Sequence, residues 1–130
     1  MALLAGGGVV VGLTMNHLVG RERPVPDAWA GAAGGPSFPS GHTIGAATFL
    51  LVLGYLLWVR RPTVPSLLGW GLTVATGVGL VALSRLYLGY HFVTDVVASM
   101  ALALAVLGVV VVLDRRRAAR AARAVTTADG

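Results

Sequence analysis

The chain has no cysteine and no lysine. The first absence excludes a disulfide framework and a thiolate metal site. It leaves the redox compartment open, since a cysteine-free chain suits either side of a membrane. Charge is scarce as well: charged residues make up 12% of the sequence, about half the ~25% of a typical soluble domain. What fills the chain instead is apolar, 56% of its 130 residues, with a mean hydropathy of +0.81. Such a composition excludes disorder, which needs low hydrophobicity. A single domain of this length has too little interior to hide that much apolar surface from water. Lipid is the solvent that fits. The 18 glycines agree, because membrane helices use glycine for close packing.

Hydropathy divides the chain into four apolar runs, 2–19, 42–59, 66–87 and 92–113. Each approaches the length of a membrane span. The expected fold is therefore all-α, a polytopic bundle of four membrane helices occupying residues 1–113, followed by a basic tail, 114–130, that loses order toward its end. Residues 20–41, rich in Gly and Pro, read as a loop. A cleaved signal peptide ending near Ala30-Gly31-Ala32 is the alternative for the first run. No basic residue precedes that run, whereas a signal peptide normally carries one.

With four spans, both termini share one side. Arg60, Arg61, Arg115, Arg116, Arg117, Arg120 and Arg123 lie there, and the positive-inside rule makes it cytoplasmic. The tail reads as a stop-transfer anchor touching anionic lipid, and nucleic acid is not an expected partner. The opposite face collects three stretches that are distant in sequence: Arg21-Glu22-Arg23-Pro24, Pro39-Ser40-Gly41-His42, and Ser84-Arg85 with His91 and Asp95.

These residue types suit a phosphate. Guanidinium is the preferred fork for it, and Arg21, Arg23 and Arg85 are available. Each also reads as an interfacial anchor or helix-end cation. Ser40-Gly41 opens an apolar helix whose free N–H groups favour an anion, although Ser40 also fits a plain N-cap. His42, at that helix start, can donate a proton. His91 and Asp95 are four apart, so a shared helix face would let the carboxylate hold the imidazole N–H and free the other nitrogen. Three nearby arginines disfavour a metal cation, and the expectation is no metal. His17 reads as an interfacial histidine. Tyr87, Tyr90 and Phe92 read as an aromatic belt.

The sequence resembles the type 2 phosphatidic acid phosphatase family, whose motifs are K-x6-R-P, P-S-G-H and S-R-x5-H-x3-D. The second and third are complete here, and the first ends correctly in Arg23-Pro24. Its lysine would fall at Asn16, a departure that predicts weaker phosphate binding, with Arg21 as a partial substitute. Vanadium haloperoxidases share these site residues but are soluble. The resemblance implies a six-helix core of which the two N-terminal helices are lacking here, so that they or a second copy would be supplied from elsewhere. It implies a lipid phosphate substrate and no cofactor. It also implies roles: His91 as nucleophile, Asp95 orienting it, and His42 as general acid and then base. Arg23, Arg85, Ser40 and Gly41, with Arg21 a further candidate, hold the phosphoryl oxygens, and Pro24, Pro39 and Ser84 support them.

The function expected is a metal-independent phosphatase acting on a lipid phosphate or polyprenyl diphosphate at the extracytoplasmic face of a bacterial plasma membrane. A non-catalytic headgroup binder and a lipid phosphotransferase are the alternatives. A binder would need the arginines but no nucleophile. A transporter would need polar groups near the bilayer midplane, where the runs offer mainly Gly, Ala, Ser and Thr.

Overall fold

The computed structural model describes residues 10, 14–15, 17–24 and 36–128. Within the first apolar run, positions 10, 14, 15 and 17–19 are helical, and Gly20 follows them with φ 56°. That left-handed turn is natural for glycine. The rest of the run, Asn16 included, lies outside the described residues, as does the candidate cleavage site at 30–32. His17 is helical and exposed.

Three long helices follow: α1 (Gly41–Arg60), α2 (Val64–Tyr87) and α3 (Val93–Ala128). No strand occurs among the described residues. All three helices are long and apolar enough to cross a membrane. Among the described residues there are thus three candidate spans, against four expected for the whole chain.

Helix α2 begins two residues before the expected position. Thr63 and Ser66 form a reciprocal capping box, with the Thr63 hydroxyl accepting from Ser66 N at 3.3 Å and the Ser66 hydroxyl accepting from Thr63 N at 3.2 Å. Pro65 sits in the first turn, where its missing N–H removes no helical bond. Helix α3 departs more strongly from expectation. It runs past Leu113, where the fourth apolar run ends, and continues through the arginines to Ala128; the last two residues lie outside the described ones. Alanine and arginine are strong helix formers. At 1.5 Å per residue, its 36 residues exceed the ~30 Å hydrocarbon core, so its basic end projects beyond the lipid.

Helix α1 is the middle element and packs against both α2 and α3. Ala47 and Leu51 meet Val78 of α2 and Ala103 of α3, and Val52 and Tyr55 meet Val110. Gly54 brings α2 close, because a Cβ there would collide with the Trp70 indole. That indole donates its N–H to the Leu50 carbonyl at 3.2 Å. At the Arg60 end of the bundle, the Tyr55 hydroxyl donates to Asp114 at 3.0 Å. The outward faces are apolar, with Phe49, Leu72, Leu80 and Leu83 exposed, as suits a surface solvated by lipid.

Candidate active site

The start of α1, the end of α2 and the start of α3 share one end of the bundle. Backbone bonds fasten the three motif stretches together there. Ser37 N donates to the Arg21 carbonyl at 2.7 Å, and its hydroxyl donates to the Glu22 carbonyl at 3.1 Å. The Ser37 carbonyl in turn accepts from His91 Nδ1 at 2.8 Å. Arg23 Nη1 donates to the Tyr90 carbonyl at 3.3 Å, and Tyr90 N donates to the Arg85 carbonyl at 3.1 Å. Ser37 is buried and ties the Arg21–Pro24 stretch to His91.

The tautomer of His91 follows. A carbonyl only accepts, so Nδ1 carries the hydrogen and neutral His91 leaves Nε2 with a free lone pair. The sequence spacing predicts Asp95 as the partner of this N–H, and the geometry gives it to Ser37. Asp95 Oδ2 lies 3.6 Å from Nδ1, outside hydrogen-bond range. The reason is local. His91 precedes α3, so the two residues do not share a helical face. Asp95 instead caps the helix start, its Oδ2 accepting from Phe92 N at 2.8 Å, half of a capping box.

Burial holds the His91 pKa below the usual histidine value, and the Arg23 charge adds to the shift. The Ser37 and Asp95 contacts act the other way and are outweighed. The ring is therefore neutral at neutral pH, and its Nε2 lone pair is unprotonated.

Arg21 differs from expectation. Its Nη1 donates to Thr94 Oγ1 at 2.6 Å and to Asp95 Oδ1 at 3.2 Å. Its guanidinium carbon lies 4.1 Å from the centroid of the Phe92 ring, a cation–π distance. Arg21 thus serves the fully buried Asp95 carboxylate, and Phe92, expected in the aromatic belt, carries it. Tyr87 is 92% exposed, as a belt residue would be.

Ser40 stands at the N-cap of α1, yet its hydroxyl makes no capping bond. It accepts from Thr43 Oγ1 at 3.0 Å. The Ser99 hydroxyl lies 3.2 Å from the Ser40 carbonyl and 2.6 Å from the Asp95 carbonyl, and so joins α1 to α3. Gly41 and His42 are exposed, and a Cβ on Gly41 would meet nothing within 4 Å. Neither packing nor φ demands glycine there. Arg85 Nε is buried with no hydrogen-bond partner among the described residues. The His42 side chain has no hydrogen bond or ion pair there either. Pro39 is buried and follows a cis peptide bond, while Pro24 and Ser84 are exposed.

Ser37, Thr94 and Ser99 are not among the residues the sequence motifs single out. Ser99 is one turn beyond Asp95, a spacing that flags a shared face. Ser37, in a Gly/Pro loop, carries no periodic signal. Among the described residues, no three of His, Asp and Glu group as a metal ion would need.

The sequence profile described as the PAP2 superfamily matches residues 1–119. Phosphatidylglycerophosphatase B of Bacillus subtilis is 41% identical over 69 residues, 52% of this chain and 34% of that one. The Escherichia coli K12 protein of the same name is 42% identical over 84 residues, 63% of this chain and 30% of that one. The chain thus spans about a third of the length of these relatives. The crystal structure of the first transmembrane PAP2 type phosphatidylglycerolphosphate phosphatase from B. subtilis superposes with a TM-score of 0.76 at 30% identity, over 88% of this chain and 57% of that one.

Proposed function

Because the chain belongs to the PAP2 superfamily, we propose that it is a lipid phosphate phosphatase working through a phosphohistidine on His91. The observation that carries this reading is the 2.8 Å bond from His91 Nδ1 to the Ser37 carbonyl, which leaves Nε2 as the nucleophile. Nε2 attacks phosphorus, the N–P bond forms, and the bond from phosphorus to the lipid oxygen breaks. His42 gives its proton to that oxygen. It then takes a proton from the water that cleaves the N–P bond, releasing phosphate and restoring Nε2. Asp95 balances the charge that develops on the imidazole.

Phosphoryl transfer needs mainly positioning and charge stabilisation. Arg23, Arg85, the Ser40 hydroxyl and the Gly41 N–H supply these for the phosphoryl oxygens, without a metal. Arg85 Nε, without a hydrogen-bond partner among the described residues, supports that role. Arg21 holds Asp95 and not the substrate. Pro24, Pro39 and Ser84 fix the loops that carry these groups. The relatives' names favour phosphatidylglycerol phosphate as substrate, with phosphatidic acid and polyprenyl diphosphates as the other candidates. The site faces the extracytoplasmic side, since Arg60, Arg61 and the arginines of the α3 end lie at the other end of the bundle.

The test is phosphate release from phosphatidylglycerol phosphate in detergent with EDTA, comparing the chain with His91→Ala. Release that survives EDTA and vanishes in the variant is expected, together with an acid-labile, base-stable phosphoryl label on the protein. Activity that depends on a metal, or that persists in His91→Ala, overturns the reading. Headgroup binding without release favours the non-catalytic alternative.

A further inference from the structure

At the end of the bundle away from the site, a cavity of about 360 Å³ opens between α1 and α2. Its walls include Leu50, Leu53 and Leu57 with the indoles of Trp58 and Trp70, and Arg61 stands among the lining residues. Leu53 and Leu57 are exposed, so the groove opens onto the lipid-facing surface. Arg61 follows the last residue of α1, beside Arg60. Both arginines are exposed, and no ion pair with a carboxylate engages either among the described residues. The groove is thus apolar along its length and cationic at the interfacial end.

That polarity matches one class of molecule: an acyl chain ending in a negatively charged head. Basic pockets between membrane helices bind anionic phospholipid headgroups, and long arginine side chains at helix ends reach the headgroup layer. We propose that the α1–α2 groove seats an anionic phospholipid, its acyl chain along the leucines and indoles and its phosphate on Arg61 and Arg60. A zwitterionic lipid would gain the apolar contacts but little from the arginines. Each arginine near the membrane surface is expected to favour the anionic lipid by roughly fivefold. The seat is separate from the His91 site and does not depend on its chemistry.

Two tryptophans in the wall supply the probe, because a brominated acyl chain quenches indole fluorescence on contact. The chain carries three tryptophans, and Trp29→Phe leaves only Trp58 and Trp70. This variant would be reconstituted in phosphatidylcholine vesicles holding equal mole fractions of brominated phosphatidylglycerol or brominated phosphatidylcholine. Several-fold stronger quenching by the phosphatidylglycerol is expected, weakening with salt and falling toward parity in Arg61→Gln. Equal quenching by the two lipids overturns the proposal, and the groove is then simply wetted by bulk lipid. Quenching by neither, with a cross-linkable dimer, also overturns it in favour of a second copy on this face. The two-lipid comparison needs no Arg61 variant, so a poorly folded Arg61→Gln would not blunt it.

Discussion

His91 Nδ1 and the carbonyl oxygen of Ser37, 54 residues apart in sequence, lie 2.8 Å from each other. This contact separates two tasks that a catalytic carboxylate often combines. Backbone holds the tautomer, and Asp95, at 3.6 Å, is left with charge. Reversing a catalytic histidine's tautomer costs on the order of 10⁴ in rate. Asp95→Asn should therefore fall well short of that loss, by about one to two decades, while His91→Ala abolishes turnover. Nitrogen-15 chemical shifts of His91 check the cause. The ring should keep its hydrogen on Nδ1 in Asp95→Asn, and a switch to Nε2 would show that Asp95 fixes the tautomer after all.

The pH profile follows from the same ring. As the proposed nucleophile, His91 must be neutral, and burial with the Arg23 charge lowers its pKa from the ordinary 6.5. Activity is then retained as pH falls through 6.5 and lost only lower, as His91 takes up a proton at its lowered pKa. Arg23→Gln removes one of the causes of that lowering, so the acid limb should move to higher pH. The measurement is kcat/KM against pH, which reports the free enzyme. A limb at or above 6.5 in the unmodified chain would contradict the buried, neutral histidine.

Arg21 and Arg23 are two residues apart and should fail differently. Arg21 bonds Asp95 and Thr94, so Arg21→Ala should lower kcat about tenfold or more, as loss of an orienting partner does elsewhere, with KM nearly unchanged. Arg23→Ala removes a proposed phosphate ligand and should raise KM and weaken inhibition by inorganic phosphate. A raised KM with intact kcat in Arg21→Ala would return Arg21 to the phosphate site. Arg21→Lys should rescue in part, keeping the charge but not the two-sided fit against Asp95 and Phe92.

Much of this arrangement is legible in the amino-acid sequence. Apolar runs locate the helices, because spans must be continuous in lipid, and the spacing of Ser84-Arg85, His91 and Asp95 points to the candidate site. The Ser37 contact is not legible, since a carbonyl in a loop leaves no trace in side-chain pattern. Arg21 looks like another phosphate fork because its sequence neighbours are those of a phosphate loop. Only the fold brings Asp95, 74 positions away, within 3.2 Å of it. The full length of α3 is obscured by charge: arginine ends the apolar run, but interleaved with alanine it propagates a helix already nucleated.

Helix packing supplies a prediction independent of the chemistry. The Trp70 indole lies against Gly54, where any Cβ would overlap it, and it is anchored by its bond to the Leu50 carbonyl. Gly54→Ala must push the ring aside or part α1 from α2, and overpacking of this kind costs about 1–3 kcal/mol. Gly69→Ala is the matched control, because a Cβ there meets nothing within 4 Å and alanine is the better helix former. Thermal unfolding in detergent should show a lowered midpoint for Gly54→Ala and an unchanged or raised one for Gly69→Ala. Trp70→Leu in the Gly54→Ala background should recover part of the loss, since it removes the ring that the new methyl strikes. Equal midpoints for the two glycine variants would mean that the indole is not held where the α1–α2 contact places it.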